Sequence, residues 1–252
     1  MHDRWQKLGH DHMSIFLVAA FACLLAVSRS VVAETVIDTQ AFWNGPTIAP
    51  FGNQGTQTMG QTLRVPMADS NLVEFSFFFD DRAITPYVGS VLFGAYVASW
   101  SGSQAIGPIL YDSGLRSSTN NGGKDGMERF DFDTGGIQLV GGSVYVVFLS
   151  SSQYVDDSLR QADLPFLTSR SLPPVVAPDA YPDGNFVFFN NDSDFGLLFE
   201  SPWSGDSSAD HMFVAKFLAS PIPLPGSAIF LGSAILCTLL TTADRVRGRF
   251  FV

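Results

Sequence analysis

The sequence predicts an all-β fold, an antiparallel β-sandwich of jelly-roll type, flanked by an N-terminal signal peptide and one C-terminal transmembrane helix. Glycine and phenylalanine, 23 of each, make up almost a fifth of the 252 residues. Short segments of alternating apolar and polar residues recur through the middle of the chain, without an amphipathic helical period of useful length. Two longer apolar runs lie near the ends. Strands without helices favour a sandwich of two sheets.

About nine strands account for the central region, and clusters rich in glycine and asparagine separate them. The first is expected near Thr35 to Phe42. Alternation or a continuous apolar run predicts the others at Leu63–Val65, Val73–Phe79, Val91–Trp100, Ile109–Tyr111, Arg129–Asp133, Ser143–Leu149, Asn185–Phe189 and His211–Leu218. In the strand from Val73 to Phe79, the odd-numbered residues are expected on one face, opposite Glu74, Ser76 and Phe78.

The segment from Asp156 to Pro182 contains five prolines and few alternating residues. It is predicted to be a long loop over one end of the sandwich. Long loops on rigid sandwiches often carry binding sites, although a variable loop without a role fits equally well.

Composition excludes several classes of protein. With 46% hydrophobic and only 15% charged residues, the chain is not a disordered polyelectrolyte. Its formal net charge of −10 disfavours nucleic-acid binding, so no nucleic-acid partner is expected. Residues 34–219 carry 8 basic and 21 acidic side chains, a net charge of −13. That acidity suits solubility and divalent cations and argues against anionic partners.

The N-terminal apolar run, Ser14 to Val27, follows Arg4 and Lys7. Val31-Val32-Ala33 then offers the small or β-branched residues that signal peptidase accepts. Residues 1–33 are therefore predicted to be a signal peptide cleaved after Ala33. An uncleaved anchor is the alternative, although the run is short for a membrane span.

The C-terminal run from Gly226 to Ala243 has 18 residues without a charge, about 27 Å as a helix and enough for a bilayer core. The basic tail that follows (residues 244–252) contains Arg245, Arg247 and Arg249. Positive charge favours the cytoplasmic side, so the preceding domain is expected across the inner membrane. A buried C-terminal helix is the alternative.

Both cysteines, Cys23 and Cys237, lie inside the two apolar runs. The predicted ectodomain, residues 34–219, therefore has no disulfide. At this size it can be stable through burial of its core alone.

Three prolines, at 221, 223 and 225, hold the chain extended ahead of the apolar run. This motif (221–225), the span (226–243) and the basic tail resemble a PEP-CTERM sorting domain over residues 220–252. Pro223, Leu224 and Pro225 occupy the Pro-Glu-Pro position; Leu224 departs from the usual glutamate, as in Pro-Leu-Pro variants. The resemblance implies processing by an exosortase, a membrane protease of Gram-negative bacteria that make exopolysaccharide. A rigid spacer before a simple anchor is the alternative.

The ectodomain also looks similar to uncharacterised exported β-sandwich proteins that carry this kind of tail. The stretches that carry this likeness are Tyr96–Trp100, Gly107–Tyr111 and Tyr145–Leu149. The likeness implies a fold and a destination, without an activity.

Few residues point to catalysis. His211 is the sole histidine of residues 34–219, and at the start of a predicted strand it is expected to be a solvated turn residue. The absence of cysteine there excludes thiol nucleophiles and thiolate zinc sites, and no glycine-rich phosphate loop precedes a helix. The candidate acids for a glycoside hydrolase are Glu74, Glu128, Asp131, Asp133 and Glu200. Asp131 and Asp133 share one face and could reach one cleft, or they form a hydrated outer face above Phe130 and Phe132.

Two sites for ligands are suggested. Asn190, Asp192 and Asp194 alternate as oxygen ligands do in calcium loops. Phe195 and Ser201 stand where an EF-hand needs glycine and glutamate, so an ordinary Asx-rich turn is the alternative. No other cofactor is expected. Trp203 lies in a polar loop, where its ring would either bind a glycan or pack beneath the loop.

These observations predict an exported, surface-destined, non-enzymatic β-sandwich protein of the envelope or exopolysaccharide matrix. It is anchored transiently in the inner membrane and then reaches the cell surface or the medium. Its expected partners are signal peptidase, an exosortase-like protease and extracellular polysaccharide. The alternative is a secreted carbohydrate-active hydrolase on the same fold.

Overall fold

The computed structural model describes residues 34–43, 45–53, 55–81, 89–119, 126–168 and 179–219. This part is all-β and forms two antiparallel sheets, which confirms the predicted class. The predicted signal peptide and the tail from residue 220 onward lie outside the described residues. Within them, no helix is both long enough and apolar enough to cross a membrane.

The first sheet contains seven of the described strands. They are β1 (Glu34–Asp38), β2 (Thr47–Gly52), β4 (Asn71–Asp81), β8 (Glu128–Gln138), β10 (Gln161–Thr168), β13 (Ala209–His211) and β14 (Phe213–Leu218). The main order is β1-β14-β4-β10-β13; β2 pairs with β10, and β8 pairs with β4.

The second sheet contains the other seven. They are β3 (Thr58–Arg64), β5 (Leu92–Trp100), β6 (Ala105–Asp112), β7 (Arg116–Ser117), β9 (Val144–Ser150), β11 (Phe186–Phe189) and β12 (Ser204–Asp206). The order is β12-β11-β3-β9-β5-β6, with β7 on β5. Three short 3₁₀ turns complete the described elements: Gln40–Phe42, Ser152–Tyr154 and Gly196–Phe199.

Phenylalanine fills the main core between the sheets. Phe79 of β4 stacks on Phe130 of β8 with ring centroids 4.0 Å apart, and it meets the edge of Phe93 from the opposite sheet at 5.0 Å. Phe75 and Phe132 lie 5.0 Å apart in the same layer. Burying each such ring contributes about 1.5–3 kcal/mol. Alternation thus predicted the inward faces of β4 and β8 correctly for these residues.

A second cluster covers the outer face of the second sheet. Tyr96 and Phe148 point away from the main core and pack with Leu198 and Trp203 from the segment before β12. Both faces of β5 and β9 are therefore buried. This arrangement confirms the prediction of apolar residues on both faces of these strands.

A bulge corrects the predicted face of β4. The ladder to β14 shifts register between Leu72 and Glu74, leaving Val73 as the extra residue, and the ladder to β8 is irregular at the same point. Leu72 is consequently fully buried in the core, whereas Val73 is only partly buried. Strict alternation fails here because a bulge inserts one residue on one strand.

Three predictions about the strands were wrong. The described residues form fourteen strands, not about nine. The first strand ends at Asp38 and not at Phe42. The buried Thr39 hydroxyl accepts a hydrogen bond from the backbone N–H of Phe213 at 2.8 Å, and a 3₁₀ turn follows. The predicted loop from Asp156 to Pro182 contains β10, which pairs with β2, β4 and β13. Pro165 interrupts its alternation without ending the strand, as proline can at irregular sheet positions.

Candidate functional site

The candidate carboxylates lie on different parts of the molecule. In the ladder between β4 and β8, Glu74 faces Asp133 and Ser76 faces Asp131. Glu128 begins β8, and its carboxylate accepts a hydrogen bond from Thr119. Glu200 instead follows the 3₁₀ turn over the second sheet. Four of the five acids thus lie on the first sheet.

Asp131 is an ion-paired carboxylate. Arg129 Nε lies 2.5 Å from Asp131 Oδ1, and the Ser76 hydroxyl donates to the same oxygen at 2.6 Å. Partial burial opposes its ionisation, but these hydrogen bonds outweigh burial, and the pKa of Asp131 lies below its ordinary value. Asp133 accepts the Gly135 N–H at 2.8 Å within its turn. A general acid needs a raised pKa, so Asp131 is poorly matched to that role.

His211 is fully buried, so the predicted solvated position is wrong. Its ring meets Phe186 edge-on at 4.7 Å, and its Nδ1 lies 3.4 Å from the Pro165 carbonyl oxygen. Burial lowers the pKa of the imidazole to about 4, although the Pro165 carbonyl partly opposes the shift. The side chain is covered because β10, unforeseen in the sequence, pairs with β13 at this residue.

Asp210, beside it, is only 1% exposed. Gln61 Nε2 donates to Asp210 Oδ1 at 2.7 Å, and the Tyr181 backbone N–H donates to Oδ2 at 3.0 Å. Burial raises the pKa of Asp210 to about 7; these two donors lower it in part, and the neighbouring Asp179 carboxyl raises it further. Sequence reasoning missed this carboxyl. A buried polar residue three positions before a strand that begins with phenylalanine gives no periodic signal.

The predicted calcium segment forms a tight turn. Asn191, not Asn190, is the buried member: its Oδ1 accepts from the Thr58 hydroxyl at 2.9 Å, and its Nδ2 donates to the Asp194 carbonyl at 2.9 Å. Asp194 Oδ1 accepts the Gly196 N–H at 2.9 Å. Asp192 adopts a left-handed φ of 46°. Among the described residues, no group of three or more His, Cys, Asp and Glu side chains could hold a metal. Calcium binding through Asn190, Asp192 and Asp194 stays a prediction.

Trp203 lies beneath its loop with 8% of its surface exposed. Its indole N–H donates to the Leu198 carbonyl at 2.9 Å, and its ring meets Phe148 and Trp100 at 5.3 and 5.4 Å. A ligand could reach only a small edge of this ring. Its neighbour Trp100 is partly exposed and is the ring that a ligand can reach.

A cleft of about 530 Å³ opens at the end of the second sheet, where β3, β9 and β5 adjoin. Arg64 of β3 pairs with Val144 of β9. On the other side of β9, Ser99 of β5 pairs with Tyr145, so Trp100 lies beside Val144 at the end of β5. The turns after β5 and before β9 form the walls. The lining residues are Arg64, Ser99–Gly102 and Gly142–Tyr145. The volume is typical of small-molecule sites.

Arg64 is held in place from two sides. Its Nη1 donates to the Gly142 carbonyl at 2.7 Å, and its Nε lies 3.6 Å from Asp183 Oδ1. The Tyr181 hydroxyl accepts the Arg64 backbone N–H at 3.1 Å and donates to the Arg64 carbonyl at 3.3 Å. The cleft thus presents an aromatic ring, a guanidinium and serine hydroxyls on a fixed backbone. Its residues are far apart in sequence, and only the sheet register brings them together.

The remaining predicted positions lie outside the described residues. They are the cleavage site at Ala33, the motif Pro223, Leu224 and Pro225, and the tail residues Arg245, Arg247 and Arg249.

Comparison with known proteins finds weak structural similarity. No protein-family model matches the chain, and no curated protein matches it. Two solved structures of Cwp84 match. The first contains the cysteine protease and lectin-like domains of this surface layer associated protein of Clostridium difficile; it is 12% identical, with a TM-score of 0.39, over 65% of the present chain and 32% of that chain. The second is a variant of the clostridial protease after propeptide cleavage; it is 11% identical, with a TM-score of 0.44, over 74% and 40%. The present chain thus spans well under half of those chains, and a similarity this weak identifies no function.

Proposed function

We propose that the chain is an exported, non-enzymatic β-sandwich protein of jelly-roll type that belongs to the cell envelope or exopolysaccharide matrix. The observation that carries this proposal is the order of elements in residues 220–252. A proline-bracketed motif, an uncharged span and an arginine-rich tail follow one another as in a PEP-CTERM sorting domain. Signal peptidase removes residues 1–33, and an exosortase-like protease acts at the tail while the span holds the precursor in the inner membrane.

The ectodomain supports a binding role for the mature protein. The cleft between Arg64 and Trp100 offers a ring and polar groups, and the neighbouring Asp183 carboxylate is ion-paired to Arg64. Asp131, the acid that the sequence singled out with Asp133, is ion-paired to Arg129 at 2.5 Å. An extracellular polysaccharide is the proposed ligand.

Processing of the tail tests the sorting role. Replacing Pro223 and Pro225 by alanine restores two backbone donors and lets the helix extend through Leu224, which hides the backbone that a protease must bind. The precursor should then accumulate in the inner membrane with its tail intact, as judged by fractionation and mass spectrometry. Pro221→Ala, which keeps Pro223, Leu224 and Pro225, is the matched control and should be processed. If the double variant is processed and reaches the surface like wild type, the tail is only an anchor.

The binding role has its own test. The purified protein should co-sediment with exopolysaccharide from cells that make it and should release no reducing sugar from it. Release of sugar that Asp131→Asn abolishes would establish the hydrolase instead.

A further inference from the structure

We infer that the Arg64–Trp100 cleft is a subsite for a neutral hexopyranose unit of a polysaccharide. This inference rests on the proposed binding function and names the chemical class that the site takes.

The chemistry of the cleft lining matches that of a sugar. A pyranose has an apolar face of C–H groups and a rim of hydroxyls that both donate and accept. The partly exposed ring of Trp100 lines the cleft, together with Ser101 and Ser143. Small-molecule sites combine aromatic walls with a few fixed polar groups in this way. A cleft of about 530 Å³ lies within the volume range of small-molecule sites.

Arg64 and Asp183 offer complementary hydrogen-bonding groups to sugar hydroxyls. Arg64 presents N–H donors, and Asp183, 3.6 Å from its Nε, presents carboxylate acceptors. Adjacent hydroxyls of one pyranose can donate to the carboxylate and accept from the guanidinium at the same time. Both side chains are at least half exposed, so they are available to a ligand.

The charges around the cleft disfavour an anionic sugar. The positive charge of Arg64 is already balanced by Asp183. Residues 34–219 carry a net charge of −13, which repels an anionic polymer at long range. A uronic acid would bring a second carboxylate beside Asp183. A neutral hexose avoids that repulsion and still uses the hydrogen bonds.

The experiment measures binding of the full chain, purified in mild detergent, by titration calorimetry. The probes are neutral hexasaccharides of glucose and mannose, and alginate oligomers of the same length. At least one neutral probe should bind, and alginate should not. Arg64→Gln and Asp183→Asn should each weaken binding about tenfold, since each removes a charge-assisted hydrogen bond. Trp100→Phe should also weaken binding. Arg129→Gln is the control: it changes an arginine on the other sheet and should leave the affinity unchanged.

Thermal unfolding of each variant checks that it folds; Asp183→Asn guards against a folding artefact because its side chain is 67% exposed. Binding of alginate alone would overturn the neutral class. Loss of binding in Arg129→Gln but not in Arg64→Gln would move the site to the first sheet and overturn the cleft. Absence of binding to every probe would overturn the subsite, while the processing of the proline variant would still decide the sorting role separately.

Discussion

Replacing His211 by asparagine should uncover a pH dependence of stability that the wild-type protein conceals. His211 and Asp210 are neighbours, both buried, and their pKa values are displaced in opposite directions, to about 4 and about 7. Between pH 4 and 6.5, the folded state keeps Asp210 protonated, whereas the unfolded chain releases that proton. Over the same range, the folded state keeps His211 neutral, whereas the unfolded chain protonates it. The two differences in bound protons nearly cancel.

The sign of each contribution follows from proton linkage. The raised pKa of Asp210 gives stability that is present below its ordinary value of 3.8 and is lost as the pH rises through about 7. The lowered pKa of His211 gives stability that is present above its ordinary value of 6.5 and is lost as the pH falls through about 4. Each slope approaches about 1.4 kcal/mol per pH unit. Between pH 4.5 and 6.5, each group therefore changes the free energy of unfolding by about 2 kcal/mol, in opposite senses.

His211→Asn removes one slope and keeps a donor for the Pro165 carbonyl oxygen. Its free energy of unfolding, measured relative to wild type by urea titration, should fall by about 2 kcal/mol from pH 4.5 to 6.5. Loss of ring packing against Phe186 lowers the stability at every pH and does not alter this slope. Because the comparison is a difference, contributions of other groups such as Asp131 cancel. Parallel profiles for variant and wild type would refute the claim that burial keeps His211 neutral.

Further predictions concern the core, the solvent and the ends. Trp203→Ala should lower the free energy of unfolding by about 3–5 kcal/mol, because its ring is buried among aromatic neighbours; a loss under 1 kcal/mol in denaturant titration would show a loosely packed ring. The unfolding temperature of residues 34–219 should be the same with and without reductant, since they contain no cysteine. If Asn190, Asp192 and Asp194 bind calcium, chelator should lower that temperature, and an unchanged transition would remove the site. N-terminal sequencing of the mature protein should begin at Glu34 and not at Met1 or Met13.

Local alternation predicted the fold where strands are regular and neighbours are close in sequence. Phe130 and Phe132 face the core because nothing disturbs the two-residue period of β8 from Glu128 to Asp133. The same reasoning failed at Val73, since a bulge is set by the register of two partner strands and not by the strand itself. It failed again for β10. Pro165 interrupts the alternation of this strand, and its pairing partners lie far away in the chain.

The buried polar groups could not be predicted for the same reason. His211 follows a polar loop, which by itself favours exposure. Its burial depends on β10, and that of Asp210 depends on Gln61 and Tyr181, which lie 149 and 29 residues away. Long-range pairing therefore decides which polar residue is buried, and a single sequence contains no direct record of it.

The position of the cleft follows from where the second hydrophobic cluster, which covers the outer face of the second sheet, ends. Along β5, β9 and β3, the outward residues Ala98, Val146 and Thr62 are buried, at most 2% exposed. The next outward residues toward the cleft, Trp100, Val144 and Arg64, are all at least partly exposed. The segment that ends at Trp203 covers the earlier positions, so these three strands present outward side chains to solvent only in this last row. These strand ends are rigid because the residues before them are buried on both faces, and they are open on one face. They therefore provide a fixed surface on which a ligand can bind without the cost of ordering a loop. The same covering that removes Trp203 from solvent thus leaves Trp100 as the ring available for binding.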